Sequence, residues 1–196
     1  MYPKNIESWQ IHEPVANKAG GKTAAILDEK GSPISFTTAD SRSPFDASGY
    51  NDPDASRVSL CLEANEDLVE WCKGLDVEML KLCRRHARKL FGKEIYLESE
   101  LRPYYYSSLK ENEKYGTQLF KCKLNKIGKG AVRVWNKGGL SREMPETWQG
   151  LTVQARVVLK SLWIQSRNFG LTFEISDAMV TSEADPVTCP FPVDDN

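Results

Sequence analysis

Alternation of apolar and polar positions is the strongest signal in this chain, and its period changes twice. In RVSLCLE (57–63), Val58, Leu60 and Leu62 fall on one side, the period of a half-buried strand. From Asn65 the period lengthens to that of a helix. Asn65 suits an N-cap, and Glu66 and Asp67 in the first turn complement the helix dipole. Gly74 predicts an interruption, with Asp76 capping a second helix whose apolar stripe is Met79, Leu80, Cys83, Ala87, Leu90 and Phe91. The opposite face carries Lys81, Arg84, Arg85, Arg88 and Lys89, and Gly92 closes the helix.

Beyond Lys93 the pattern returns to strands. The candidates are EIYL (94–97), PYYYSSL (103–109), QLFKCKLN (118–125), AVRVWN (131–136), LTVQARVVLKSLWI (151–164) and FGLTFEIS (169–176), with glycine turns at Gly116, Gly128, Gly130, Gly138 and Gly139. Upstream, PISF from Pro33 reads as a short strand. Residues 38–56 are dense in Ser, Asp, Gly and Pro, and within that loop stand Arg42, Phe45 and Tyr50. Residues 1–32 are polar and show no period, which predicts a flexible N-terminal arm. The layout is mainly β: an OB-fold-like small barrel with a helical insertion over 33–180, and an acidic C-terminal tail over 181–196. A β-sandwich with a helical insertion is the competing architecture.

Composition supports a packed core, with 40% hydrophobic and 27% charged residues in 196. No apolar stretch is long enough to span a bilayer, and the N-terminus lacks the apolar core of a secretory signal, so an intracellular protein with no membrane partner is expected. Five cysteines with no C-x-x-C pair exclude a disulfide framework and the usual zinc sites. They read as buried free thiols. His12 and His86 have no partners at ligand spacing. Gly21-Lys22-Thr23 imitates the end of a phosphate-binding loop, but Ala16 stands where its first glycine is needed. With no catalytic constellation, neither enzyme chemistry nor a metal or cofactor is expected.

Charge changes the picture most. The net charge is -1, from 26 basic and 27 acidic residues. Yet residues 110–142 hold nine basic residues against two acidic ones, a balance of +7, while 169–196 hold six acids and no Lys or Arg. Strand alternation turns Lys121 and Lys123 to one side of their strand and Arg133, Trp135 and Lys137 to one side of theirs. Arg156 and Lys160 follow on the next strand. Tyr104 and Tyr106 share a face with Arg102 and form a second stacking platform. Cations interleaved with aromatics on strands suit unstacked bases and neighbouring phosphates, and no helix-turn-helix or zinc finger is present to enter a duplex.

The passages PISFTTADSRSPFDASGYNDPDASRVSLCLE, YYYSSLKENEKYGTQLFKCKLN and LTVQARVVLKSLWIQSRNFGLTFEISDAMV resemble single-stranded DNA-binding proteins of the phage replication type and their relatives in nucleocytoplasmic large DNA viruses. The resemblance covers about Pro33 to Val180. It implies sequence-independent coating of single-stranded DNA in replication, recombination and repair. It also implies a replicative polymerase or helicase docked through the acidic tail; a second copy of the chain, as a homodimer, is a separate partner expectation.

The residues expected to carry binding are Lys121, Lys123, Arg133, Lys137, Arg156 and Lys160 along the groove, with Trp135, Tyr104 and Tyr106 stacking bases. An RNA-binding barrel and a viral protein-interaction or structural module are the alternatives.

Overall fold

The computed structural model describes residues 2–17, 20–49, 52, 54–113 and 116–182. Of the acidic tail expected over 181–196, Thr181 and Ser182 belong to the last strand and 183–196 lie outside the described residues, as does Tyr50. In chain order the strands are β1 Gln10–Ile11, β2 Val15–Ala16, β3 Lys22–Ala24, β4 Ile26–Leu27, β5 Ile34–Thr37, β6 Ser41–Arg42 and β7 Arg57–Glu63. Helices α1 Glu66–Arg85 and α2 Ala87–Phe91 follow. Then come β8 Tyr105–Tyr106, β9 Leu109–Asn112, β10 Thr117–Asn125, β11 Arg133–Asn136, β12 Ser141–Arg142, β13 Thr152–Gln165 and β14 Asn168–Ser182.

The long hairpin β13–β14 is the spine. β13 pairs antiparallel with β3, β5 and β6 along its free edge. β14 takes β8, β10 and β11 in succession along its other edge, all parallel, and β10 continues the sheet antiparallel to β7. Three register shifts, at Thr152/Val153, Arg156/Val157 and Leu159/Ser161, bend this hairpin. A bulge adds local twist and bend, which is how so long a pair wraps round a core instead of lying flat. The result is the expected mainly β, OB-fold-like barrel with its helix. Inside it meet Phe36, Phe120 and Phe173, whose ring centroids lie 5.0–6.1 Å apart.

Helix α1 closes one side of the barrel. Asn65 caps it as its sequence predicts, its Oδ1 accepting from the Leu68 amide at 3.1 Å. Gly74 does not interrupt it. That glycine is exposed, so it costs only its propensity, about 1 kcal/mol. Leu68, Cys72, Leu75, Met79, Leu82 and Cys83, all buried, hold the helix continuous against the sheet. The break falls at His86 instead, with Gly92 in the left-handed region closing α2. Asp76 is no cap; its carboxylate accepts from the Tyr105 hydroxyl at 2.7 Å. Burial pushes the Asp76 carboxyl above its ordinary value, against the hydrogen bonds from Ser107 and Tyr105.

Three further expectations are corrected. The segment 1–32 is not a loosely held arm where it is described. Ile6, Trp9, Ile11, Ala24 and Ile26 are buried, β1 pairs with β4, and β3 adds to β13. The elements are two or three residues long, too short for any window to accumulate a period. EIYL is not a strand: Tyr96 and Leu97 are exposed, and the Glu100 carboxylate accepts from both their amides. PYYYSSL is broken, with Arg102–Tyr104 a 3-10 turn before the two residues of β8. Among the described residues no helix is long and apolar enough to cross a membrane.

Candidate nucleic-acid interface

The outward side of β14 organises the charged and aromatic residues into one surface. Along it run Gly170, Thr172, Glu174, Asp177 and Met179, while Phe169, Leu171, Phe173, Ile175, Ala178 and Val180 are buried beneath. Register partners across the sheet carry the neighbours. Trp163 and Tyr106 flank Gly170, and Lys123 and Val158 flank Glu174. Arg133 and Arg156 flank Asp177, and Trp135 lies beside Met179. At about 3.3 Å per residue, Gly170 to Met179 spans roughly 30 Å.

At one end, Trp135 is half-buried and its indole Nε1 donates to Asp177 Oδ1 at 3.2 Å. Arg133 grips the same carboxylate twice, Nε to Oδ1 at 2.7 Å and Nη2 to Oδ2 at 2.9 Å, and the Ser176 hydroxyl adds a fourth donor at 2.9 Å. Burial pushes the Asp177 carboxyl up, but the hydrogen bonds from Arg133, Ser176 and Trp135 outweigh it and leave the group below its ordinary value. In the middle, Glu174 pairs with Arg57 at 3.2 Å and Lys160 at 3.8 Å. Beside them Lys123 donates from Nζ to the Ser59 hydroxyl at 2.9 Å. Burial, together with Lys121 and Arg57, lowers its affinity for the proton.

At the other end, Tyr106 and Trp163 form a tilted pair, centroids 5.7 Å apart at 52°. Tyr106 is 52% exposed. They border a pocket of about 380 Å³ whose rim carries Lys110, Lys121 and Lys123 and whose floor includes Cys122, Leu171 and Phe173. Gly170 permits this arrangement. A Cβ there would lie 2.7 Å from the Tyr106 carbonyl oxygen and 3.0 Å from Trp163 Cζ2.

Of the nine residues expected in the site, the structure gathers Lys121, Lys123, Arg133, Trp135, Arg156, Lys160 and Tyr106 on this surface. Lys137 is exposed in the turn after β11, at the Trp135 end. Tyr104 does not join them. It lines a separate cleft of about 560 Å³ with Lys22, Phe91, Lys93, Glu100 and Arg167, because the 3-10 turn breaks the alternation that would have put it beside Tyr106. Phe45, in the 38–56 loop, is 46% exposed. Trp163, Lys110 and Arg57 are gains. Strict alternation from Val153 turns Trp163 inward, but the bulge at Lys160 shifts the phase, so that Leu162 and Ile164 are buried and Trp163 faces out. The charge map is corrected too: Glu174 and Asp177, counted with the acidic end, lie among the cations.

The chain is a small bent barrel that carries cations and aromatic rings on one outer sheet face. No protein-family model matches the sequence, and no curated relative does. Among solved structures, the single-stranded DNA-binding protein from bacteriophage Enc34 is similar at a TM-score of 0.51 and 12% identity, over 91% of this chain and 93% of that one. The same protein in complex with single-stranded DNA gives 0.51 and 13%, over 90% and 98%. The likeness is one of fold.

Proposed function

We propose that this protein binds single-stranded DNA, largely without sequence selection, along the outward face of β14. The observation that carries the reading is that single continuous face, which brings rings from β8, β11 and β13 and cations from β7, β9, β10, β11 and β13 onto one line of about 30 Å. Lys110, Lys121, Lys123, Arg133, Arg156 and Lys160 neutralise phosphates. Trp163 with Tyr106, and Trp135, offer π-faces that accept any base. A fold neighbour solved with single-stranded DNA supports the choice of ligand. The setting is the coating of exposed strands during replication and recombination inside the cell, with residues 183–196 available to replication partners.

The test is a fluorescent oligo-dT of about 30 nucleotides, titrated at about 50 and about 200 mM salt with a duplex competitor. If about five phosphates are neutralised, the slope is near -3.5 and the salt step weakens binding roughly a hundredfold. Binding that duplex fails to displace fits the reading. No binding even at the lower salt overturns it and makes the aromatic face a protein interface.

A further inference from the structure

The pocket beside Tyr106 and Trp163 holds one group that the groove reading does not use. Ser108, only 8% exposed, lines it, and its hydroxyl has no hydrogen-bond partner among the described residues. The Ser108 carbonyl accepts from the Lys121 amide at 3.0 Å, so the residue is fixed in place by its backbone while its side chain is left over. A buried polar group without a partner is uncommon and unfavourable, and in a pocket it marks where a ligand atom completes the bond.

The surroundings define that ligand. The wall is two aromatic rings, the floor is apolar, and three lysines stand at the rim. Among the described residues no carboxylate lines the pocket, so it suits an anion with a flat, partly apolar body and a polar edge. A nucleotide has that chemistry. Its base stacks on Trp163 and Tyr106, its phosphate reaches Lys110 or Lys121, and its edge reaches the hydroxyl. At the other end of the face Trp135 spends its N–H on Asp177.

We propose that this pocket seats one nucleobase of the bound strand and that the Ser108 hydroxyl hydrogen-bonds its polar edge, giving one position of an otherwise sequence-tolerant groove a base preference. The proposal rests on the single-strand reading of the face.

The experiment measures dissociation constants for short oligo-dT, oligo-dC and oligo-dA of equal length, about 10 nucleotides, at one salt concentration. The wild type, Ser108→Ala and Lys121→Ala are compared. A single neutral hydrogen bond corresponds to about a fivefold advantage for the preferred homopolymer. Ser108→Ala is expected to remove that advantage, whereas Lys121→Ala weakens all three alike. The melting midpoint of Ser108→Ala should equal or exceed the wild type's, because the hydroxyl has no internal bond to lose.

Three outcomes would overturn the proposal. Equal binding of all three by the wild type, or an unchanged preference in Ser108→Ala, removes the base seat and leaves the groove standing. A lowered midpoint shows the hydroxyl to be bonded within the protein. Failure of the wild type to bind any of the three takes the groove reading down as well.

Discussion

The two ends of the β14 face carry the same residue types in opposite states. At the Trp135 end three side chains are spent on one carboxylate: Arg133, Ser176 and Trp135 converge on Asp177. At the Trp163 end the rings face a pocket, and Lys110 and Lys121 have no ion pair among the described residues. The difference teaches that counting cations overstates a binding surface. A phosphate arriving beside Arg133 must compete with a carboxylate held in four hydrogen bonds, whereas one arriving at Lys121 displaces only water and counterions. The open end should therefore supply most of the affinity.

The sharpest way to break that comparison is to remove one ring from each end. Trp163→Ala should cost about 1–3 kcal/mol of oligo-dT binding, and Trp135→Ala distinctly less, because its indole edge is already held by Asp177. Equal losses in anisotropy titrations would end the distinction between the two ends. Gly170→Ala tests the open end without touching a ring. Its new methyl meets the Tyr106 carbonyl and the Trp163 indole, so a stability loss of about 1–3 kcal/mol is expected in denaturant unfolding, with changed Trp163 fluorescence.

Asp177→Asn addresses the closed end. Removing a charge that repels phosphate and occupies Arg133 should tighten binding by about 0.5–1 kcal/mol and steepen the salt slope. Weaker binding would mean that Asp177 positions Trp135 for the strand instead of restraining it.

The smallest effect concerns Lys123, whose pKa is lowered by burial, by Lys121 and by Arg57. As pH rises toward the ordinary lysine value of about 10.4 it sheds its proton ahead of an unperturbed lysine, so wild-type binding should weaken a few-fold. Lys123→Arg keeps its charge and should hold its affinity over that range.

Where elements are long enough to repeat a pattern, the sequence states them plainly. β7, β10 and the two strands of the spine were legible from alternation, and Asn65 from its cap chemistry. Of the expected site residues, Lys121, Lys123, Arg133 and Arg156 follow from that alternation, since a residue between two buried neighbours on a strand faces outward. The misses have two causes. Short elements carry no period, which is why the strands formed by residues 10–27 read as an arm and EIYL as a strand. A bulge inverts the period without leaving a mark in the residues, which is why alternation carried on from Val153 points Trp163 inward although it faces out.

What the sequence determined by itself is therefore local: which stretches are strands, where α1 begins, and that a basic middle interleaves cations with rings. The tertiary structure decided what those residues meet. Only pairing across β14 brings Trp163 to Tyr106, sets Lys121 at the rim of a pocket with Ser108 beneath, and places Asp177 against Arg133, 44 positions away in the chain. The physical reason is that charge and stacking act over a few ångströms, and which groups come that close is fixed by strand register and by the irregularities of the β13–β14 pair. No stretch of sequence short enough to read as a pattern contains that information.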